Sequence, residues 1–184
     1  MKYPRISLLA TLGVSVLGLS ACSAMGSHTM YSQAGLPIAV QVPAGHKVAM
    51  ETVGIGQITY ECRAGKDMPS EHEWAFVGPE AKLQTRGGTI IGKYWGPPAT
   101  WENNDGSRVT GTQTAVAPAG AGNIPLQLVK ANPANGMGAM QGVTYIQRVA
   151  TKGGEAPGTA CGASNQGTRQ VVQYQADYIF WRAI

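Results

Sequence analysis

Four groups of side chains in this sequence are of types that could do chemistry. Glu80 and Asp105 are the best-placed carboxylates for a paired acid and base, in the manner of a glycoside hydrolase. Glu80 stands in Gly78-Pro79-Glu80-Ala81, where turn chemistry would fix its carboxylate. Asp105 stands in Asn104-Asp105-Gly106, a tight-turn sequence that accounts for an aspartate without catalysis. Ser107 follows that turn, but no Gly-x-Ser-x-Gly elbow surrounds it and no histidine lies near it in sequence. Glu71-His72-Glu73 is the one acid–histidine cluster. On a strand His72 points away from both carboxylates, so the three could not share an ion. His28 falls in a polar segment and His46 after a Pro-Ala-Gly turn. No metal and no cofactor are therefore expected. The fourth group is aromatic: Tyr94, Trp95 and Trp101 flank Gly96-Pro97-Pro98. Rings on a proline-stiffened loop suit stacking on a sugar or another apolar ligand. The same rings could instead cover the end of a small β core.

Sulfur chemistry divides among three cysteines. Cys22 follows a short positive region, Lys2 and Arg5, and an uncharged apolar run from Ile6 to Leu19. That run is shorter than the roughly 20 residues a spanning helix needs and fits the core of a signal peptide. Leu19-Ser20-Ala21-Cys22 resembles the lipobox of bacterial lipoproteins. The resemblance implies cleavage after Ala21, acylation of Cys22 and attachment to the membrane through the acyl chains. Two or more chains anchor stably, at about 0.8 kcal/mol per buried methylene. An ordinary secretory signal cut near Ala24 is the alternative. Ser23, in place of an aspartate, favours the outer membrane of the cell envelope. The expected organisation is a signal peptide over 1–21, a lipidated tether over 22–35 and one domain over 36–184. Cys62 and Cys161 remain, and two cysteines in an oxidising compartment imply one disulfide. It would close a loop of about 100 residues and contribute roughly 4–5 kcal/mol. A metal pair or a reactive thiol are the alternatives; neither has a CxxC spacing or a neighbouring histidine.

The elements that must position these groups read as strands. In Gln57–Cys62 the apolar face is Ile58, Tyr60 and Cys62. In Val171–Trp181 one face carries Val172, Tyr174, Ala176, Tyr178 and Phe180, and the other Gln173, Gln175 and Asp177. Asp177 could pair with Arg148 across strands. Glu73–Val77, Thr89–Trp95, Ala99–Glu102, Ser107–Thr112, Pro125–Lys130 and Val143–Val149 also read as strands. Asn104-Asp105-Gly106 makes a hairpin, while Arg86-Gly87-Gly88 and Lys152-Gly153-Gly154 punctuate two more turns. Asn132–Gly142 reads as a loop, and no stretch of 12 residues carries a helical stripe. Charged residues are only 13% of the chain and glycine is 25 of 184, a composition that suits a turn-rich β protein. Nine to eleven short strands are expected, in a single antiparallel β-sandwich or partly closed β-barrel. Lys2 and Arg5 belong to the signal segment, so its removal takes the net charge from +4 to +2. The remaining basic residues are scattered, which gives no argument for nucleic acid. Nothing here specifies an oligomeric state.

A series of motifs then carries a family resemblance. It runs through Gln57, Tyr60, Cys62, Trp74, Phe76, Gly78-Pro79-Glu80-Ala81, Leu83, Gly92-Lys93, Trp101, Asp105-Gly106-Ser107, Val109 and Gly111. It continues through Tyr145-Ile146-Gln147-Arg148-Val149, Gly153-Gly154, Pro157, Cys161, Tyr174, Ala176 and Tyr178. In order and spacing this resembles the secreted bacterial and fungal domain of unknown function 3455, over about residues 37 to 181. The resemblance implies a single all-β secreted domain and brings no activity. Where such sequences often read glycine, lysine, histidine, tyrosine, this chain has Gly92-Lys93-Tyr94-Trp95. The leading expectation is a non-enzymatic envelope lipoprotein that binds a glycan, a small apolar ligand or a partner protein near Tyr94–Trp101. The alternatives are an envelope hydrolase of glycan or ester using Glu80 and Asp105, and a purely structural surface protein.

Overall fold

A computed structural model describes residues 31–184. The signal segment, Cys22 and His28 lie outside the described residues. Eight strands run in chain order: β1 (His46–Ala64), β2 (His72–Gln84), β3 (Ile90–Trp95), β4 (Thr100–Asn103), β5 (Arg108–Ala117), β6 (Leu126–Ala131), β7 (Val143–Gly153) and β8 (Arg169–Ala183). Each pairs antiparallel with its sequence neighbour, and β1 pairs with β8, so the sheet closes into a ring. The all-β, antiparallel, single-disulfide expectation holds, with Cys62 bonded to Cys161 at a Cα separation of 5.5 Å.

The strands number eight rather than nine to eleven because β1, β2 and β8 are long, at 19, 13 and 15 residues. Two stretches expected as turns are strand instead. Gly78-Pro79 stays within β2, beside a register shift opposite Thr59 and Tyr60. The ladder to β3 starts only at Glu80, so the missing N–H of Pro79 is tolerated. Lys152-Gly153 stays within β7, paired with Gln175 and Tyr174 after a bulge.

Alternation sorts the side chains as the sequence implies. Ile58, Tyr60, Tyr174, Ala176, Tyr178 and Phe180 are buried together inside the ring, with Leu83, Ile146 and Val129 from the other strands. β1 bends closely around this core at Gly54, where a Cβ would lie 2.5 Å from the Tyr178 ring; a side chain there would push the tyrosine off the strand.

A second apolar cluster lies outside the ring. Residues 31–42, including a short 3-10 turn over Ile38–Val40, lie against β5 to β8 as a strap. Val40 and Val42 pack on Leu128, Val149, Ile179 and Trp181. Gln147, fully buried beneath the strap, has all its polar capacity used. Its Oε1 accepts from Trp181 Nε1 at 2.9 Å and from the Tyr31 hydroxyl at 3.3 Å. Its Nε2 donates to Val40 O at 2.7 Å and Gln33 Oε1 at 3.0 Å. Burial beside Glu51 and Asp177 pushes the Tyr31 hydroxyl up to about 12, so it stays a donor. Among the described residues, Tyr31, Gln33 and Leu36 thus already pack against or bond the domain, within and just beyond the stretch expected as tether.

Candidate functional site

β2, β3 and β4 place the sequence-selected residues on two opposite sides of the sheet. Within β3, Lys93 faces out, Tyr94 in and Trp95 out; within β4, Trp101 faces in between Thr100 and Glu102. Tyr94 and Trp101 are therefore core residues, with 6% and 0% exposure, and not part of a ligand-facing surface. Their rings stack with centroids 4.7 Å apart, and Tyr178 closes on both at 5.0 and 5.9 Å. Burial raises the hydroxyls of Tyr94, Tyr174 and Tyr178 above their ordinary value of 10.0, and the last two share a 3.0 Å hydrogen bond. The Trp101 indole N–H is buried with no partner among the described residues.

Trp95 alone of the three rings reaches the outer surface. It lines two adjacent clefts. The first, of about 620 Å³, is bounded by Ile55, Gln57, Glu80, Lys82, Lys93 and Gln173. The second, of about 390 Å³, is bounded by Thr100, Arg108, Thr110, Pro133 and Asn135. Strand register explains why these side chains meet. Gln173, Gln57, Glu80, Trp95, Thr100 and Thr110 stand opposite one another on consecutive strands from β8 through β5. They form one row of amides, a carboxylate, an indole and hydroxyls across the sheet. Gln57 Nε2 donates to Glu80 at 3.5 Å, and Lys93 Nζ lies 5.0 Å from the Trp95 ring centroid. Sequence reading found Glu80 and Trp95 but missed Gln57, Gln173 and Thr110, whose alignment depends on a ladder that composition does not encode.

Asp105 belongs to a different place. It lies in the β4–β5 turn, beyond Asn103, which pairs with Gly92 rather than with the Glu80–Trp95 position. Its Oδ1 accepts from Ser107 N at 2.9 Å and Ser107 Oγ at 2.6 Å, and its Oδ2 from Ala139 N at 2.7 Å. Ser107 Oγ in turn accepts from Met140 N at 3.0 Å, and Met140 is fully buried in the core. Asp105 and Ser107 thus pin the 138–140 loop over one end of the ring. Gly138 lets the loop approach, since a Cβ there would lie 2.4 Å from the Asp105 carboxylate. Both oxygens are committed to hydrogen bonds within this end of the ring, away from the Glu80–Trp95 row.

The Ser107 hydroxyl and the two amide donors hold the Asp105 carboxyl below its ordinary value of 3.8. A lowered carboxyl stabilises the fold above its unfolded-state value and loses that contribution as pH falls through the lower folded value. Asp105→Asn should therefore melt below the parent at pH 7, with the gap closing below about pH 4. A gap constant from pH 7 to 2.5, measured by thermal melts, would assign the loss to shape and not to charge.

The remaining expectations resolve simply. Asp177 pairs with Arg86 at 3.0 Å, not with Arg148, whose guanidinium donates to Pro125 O. Arg86 also reaches Glu51, because the β2–β3 turn folds back over that edge. His72 Nε2 is 3.2 Å from Gln166 Oε1, and the His46 ring bonds Pro43 O and packs edge-on to Tyr145. Among the described residues no group of three or more His, Cys, Asp or Glu side chains gathers in metal-holding geometry.

Comparison with known proteins gives one match. A family model described as protein of unknown function (DUF3455) covers residues 43–182. No curated protein and no solved structure matches the chain.

Proposed function

We propose, for a chain that belongs to the DUF3455 family of proteins of unknown function, that it is a non-enzymatic binding module whose ligand is a glycan held against Trp95. The observation that carries this reading is the outer row Gln173–Gln57–Glu80–Trp95, continued by Thr110 beyond a buried Thr100 whose hydroxyl donates to Pro98 O. The half-buried Trp95 indole, at the lip of two clefts, offers an apolar face to a pyranose ring. Carboxylate, amide and hydroxyl groups on either side offer donors and acceptors to sugar hydroxyls. Such a mixture, an apolar platform with a few convergent polar groups, is the general make-up of small-molecule sites. Binding is favoured over hydrolysis because Glu80 has lost the second carboxylate that the sequence offered.

The reading extends to location. The Leu19-Ser20-Ala21-Cys22 signal supports a lipoprotein acylated at Cys22 and held in the bacterial envelope, on the outer membrane.

One preparation of the full chain tests both parts. Cys22→Ser should move the protein from the membrane fraction to the soluble fraction. Trp95→Ala should abolish retention on a panel of immobilised polysaccharides while leaving the melting temperature within about 2 °C of the parent, as surface changes do. Retention unchanged in Trp95→Ala would remove the glycan reading.

A further inference from the structure

We infer that the glycan taken at the Trp95 surface is an acidic polysaccharide, lying across the strands with its anionic groups over a second row of side chains. This rests on the glycan reading above and concerns the neighbouring row. Two residues along each strand from the polar row, the register aligns Lys152, Gln175, Ile55, Lys82, Lys93, Glu102 and Arg108 on consecutive strands from β7 to β5. The ring is closed, so this row curves around the surface; its stretch beside Trp95, from Ile55 to Arg108, covers four steps at about 4.8 Å, roughly 19 Å along the sheet, the length of an oligomer and not of a single sugar.

The charges in this track are unbalanced. Beside Trp95 three cations, Lys82, Lys93 and Arg108, face Glu102 within the row and Glu80 in the row beside it. Glu102 is shared, 3.1 Å from Lys93 Nζ and 3.9 Å from Arg108. Lys82 and Lys93 stand directly opposite each other across β2 and β3, a placement that costs stability because like charges repel. Lys93 is offset by Glu102, but Lys82 has neither a hydrogen bond nor an ion pair among the described residues. Folding gains nothing from that pair of lysines. A polymer carrying carboxylates would neutralise both, and would draw Lys93 from the Trp95 face so that a sugar ring could stack there. Because the track is exposed, its attraction is screened by salt.

The test is affinity electrophoresis of the full chain in non-ionic detergent, through gels containing polygalacturonate or its fully methyl-esterified form. The two polymers share a backbone and differ in charge. The expected result is stronger retardation by polygalacturonate, weakened by raising salt from 50 to 500 mM. The double variant Lys82→Gln, Arg108→Gln should bind polygalacturonate roughly five- to tenfold more weakly, as two exposed charge contacts permit. Circular dichroism of the variant should match the parent. Equal retardation by both polymers would overturn the acidic preference and leave the Trp95 glycan site standing. Retardation by polygalacturonate that survives the double variant would overturn the placement. Retardation by neither polymer, nor by a neutral glucan, would overturn this inference together with the glycan reading.

Discussion

Replacing Trp101 by alanine is expected to lower stability by about 3–5 kcal/mol, the usual cost of truncating a fully buried large aromatic. Trp101 has no exposed surface, stacks on Tyr94 and meets the edge of Tyr178. Its side chain fills the space between Tyr94 of β3 and Tyr178 of β8. Trp101→Phe should cost less. Phenylalanine keeps a ring in the stack and removes an indole N–H that has no partner among the described residues, and an unmade buried hydrogen bond is itself unfavourable by about 1–3 kcal/mol. Trp95→Ala, next to Tyr94 on β3 but on the opposite face, should change stability by about 0.5 kcal/mol or less. Urea unfolding midpoints of the three variants check this directly. A Trp101→Ala protein that unfolds with the parent would contradict the inward orientation of β4.

The second large effect is expected at the disulfide. Cys62 and Cys161 are 99 residues apart in sequence, so their bond removes a long loop's freedom from the unfolded chain. In the chain-entropy account a loop of this length is worth about 4–5 kcal/mol. The bond sits at the end of the β1–β8 seam, where Cys62 N donates to Thr168 O at 2.9 Å and Gly167 N donates to Cys62 O at 2.8 Å. Those backbone bonds persist without the sulfur link, so the native geometry needs no rearrangement when it is lost. The double variant Cys62→Ser, Cys161→Ser should therefore keep the fold but unfold at a much lower urea concentration. Its circular dichroism spectrum should match that of the oxidised parent. A shift equivalent to less than about 1 kcal/mol would mean that the unfolded chain is already restrained near this seam.

The strands were legible in the sequence wherever one face met the core and the other met water. Val172 to Ala176 shows this, and so does Ile58 to Cys62. Alternation also carries a signal that the aromatic reading passed over. In Lys93-Tyr94-Trp95 the lysine must face out, which turns Tyr94 in and Trp95 out; Thr100-Trp101-Glu102 turns Trp101 in for the same reason. A flanking proline pair suggested an exposed loop, but the rings belong to the strands on either side of it. Other features had no local signature. Gly54 and Gly56 interrupt the apolar pattern of β1, so a strand of 19 residues looked like one of six. The outward residues Ile179 and Trp181 are buried because a strap of unremarkable composition covers them. Asp105 looked sufficient as a turn residue, and its bond to Ala139 joins two loops 34 residues apart. Each of these depends on a contact between distant segments, which a window along the chain cannot contain.

Closure of the ring by β1 and β8 has a consequence for biosynthesis. The strand nearest the start of the domain, residues 46–64, takes one of its two partners from residues 169–183. A chain that emerges N-terminus first can build the hairpins from β1 to β7 in order, but it carries two open sheet edges until the last residues arrive. Such an intermediate pairs readily with other chains and is low in stability, since non-local contacts repay their loop entropy only once made. Completion is thus withheld until residues 169–183 are free to pair with β1. However much of the chain is already in place, the ring cannot lock while the segment carrying β8 is held back.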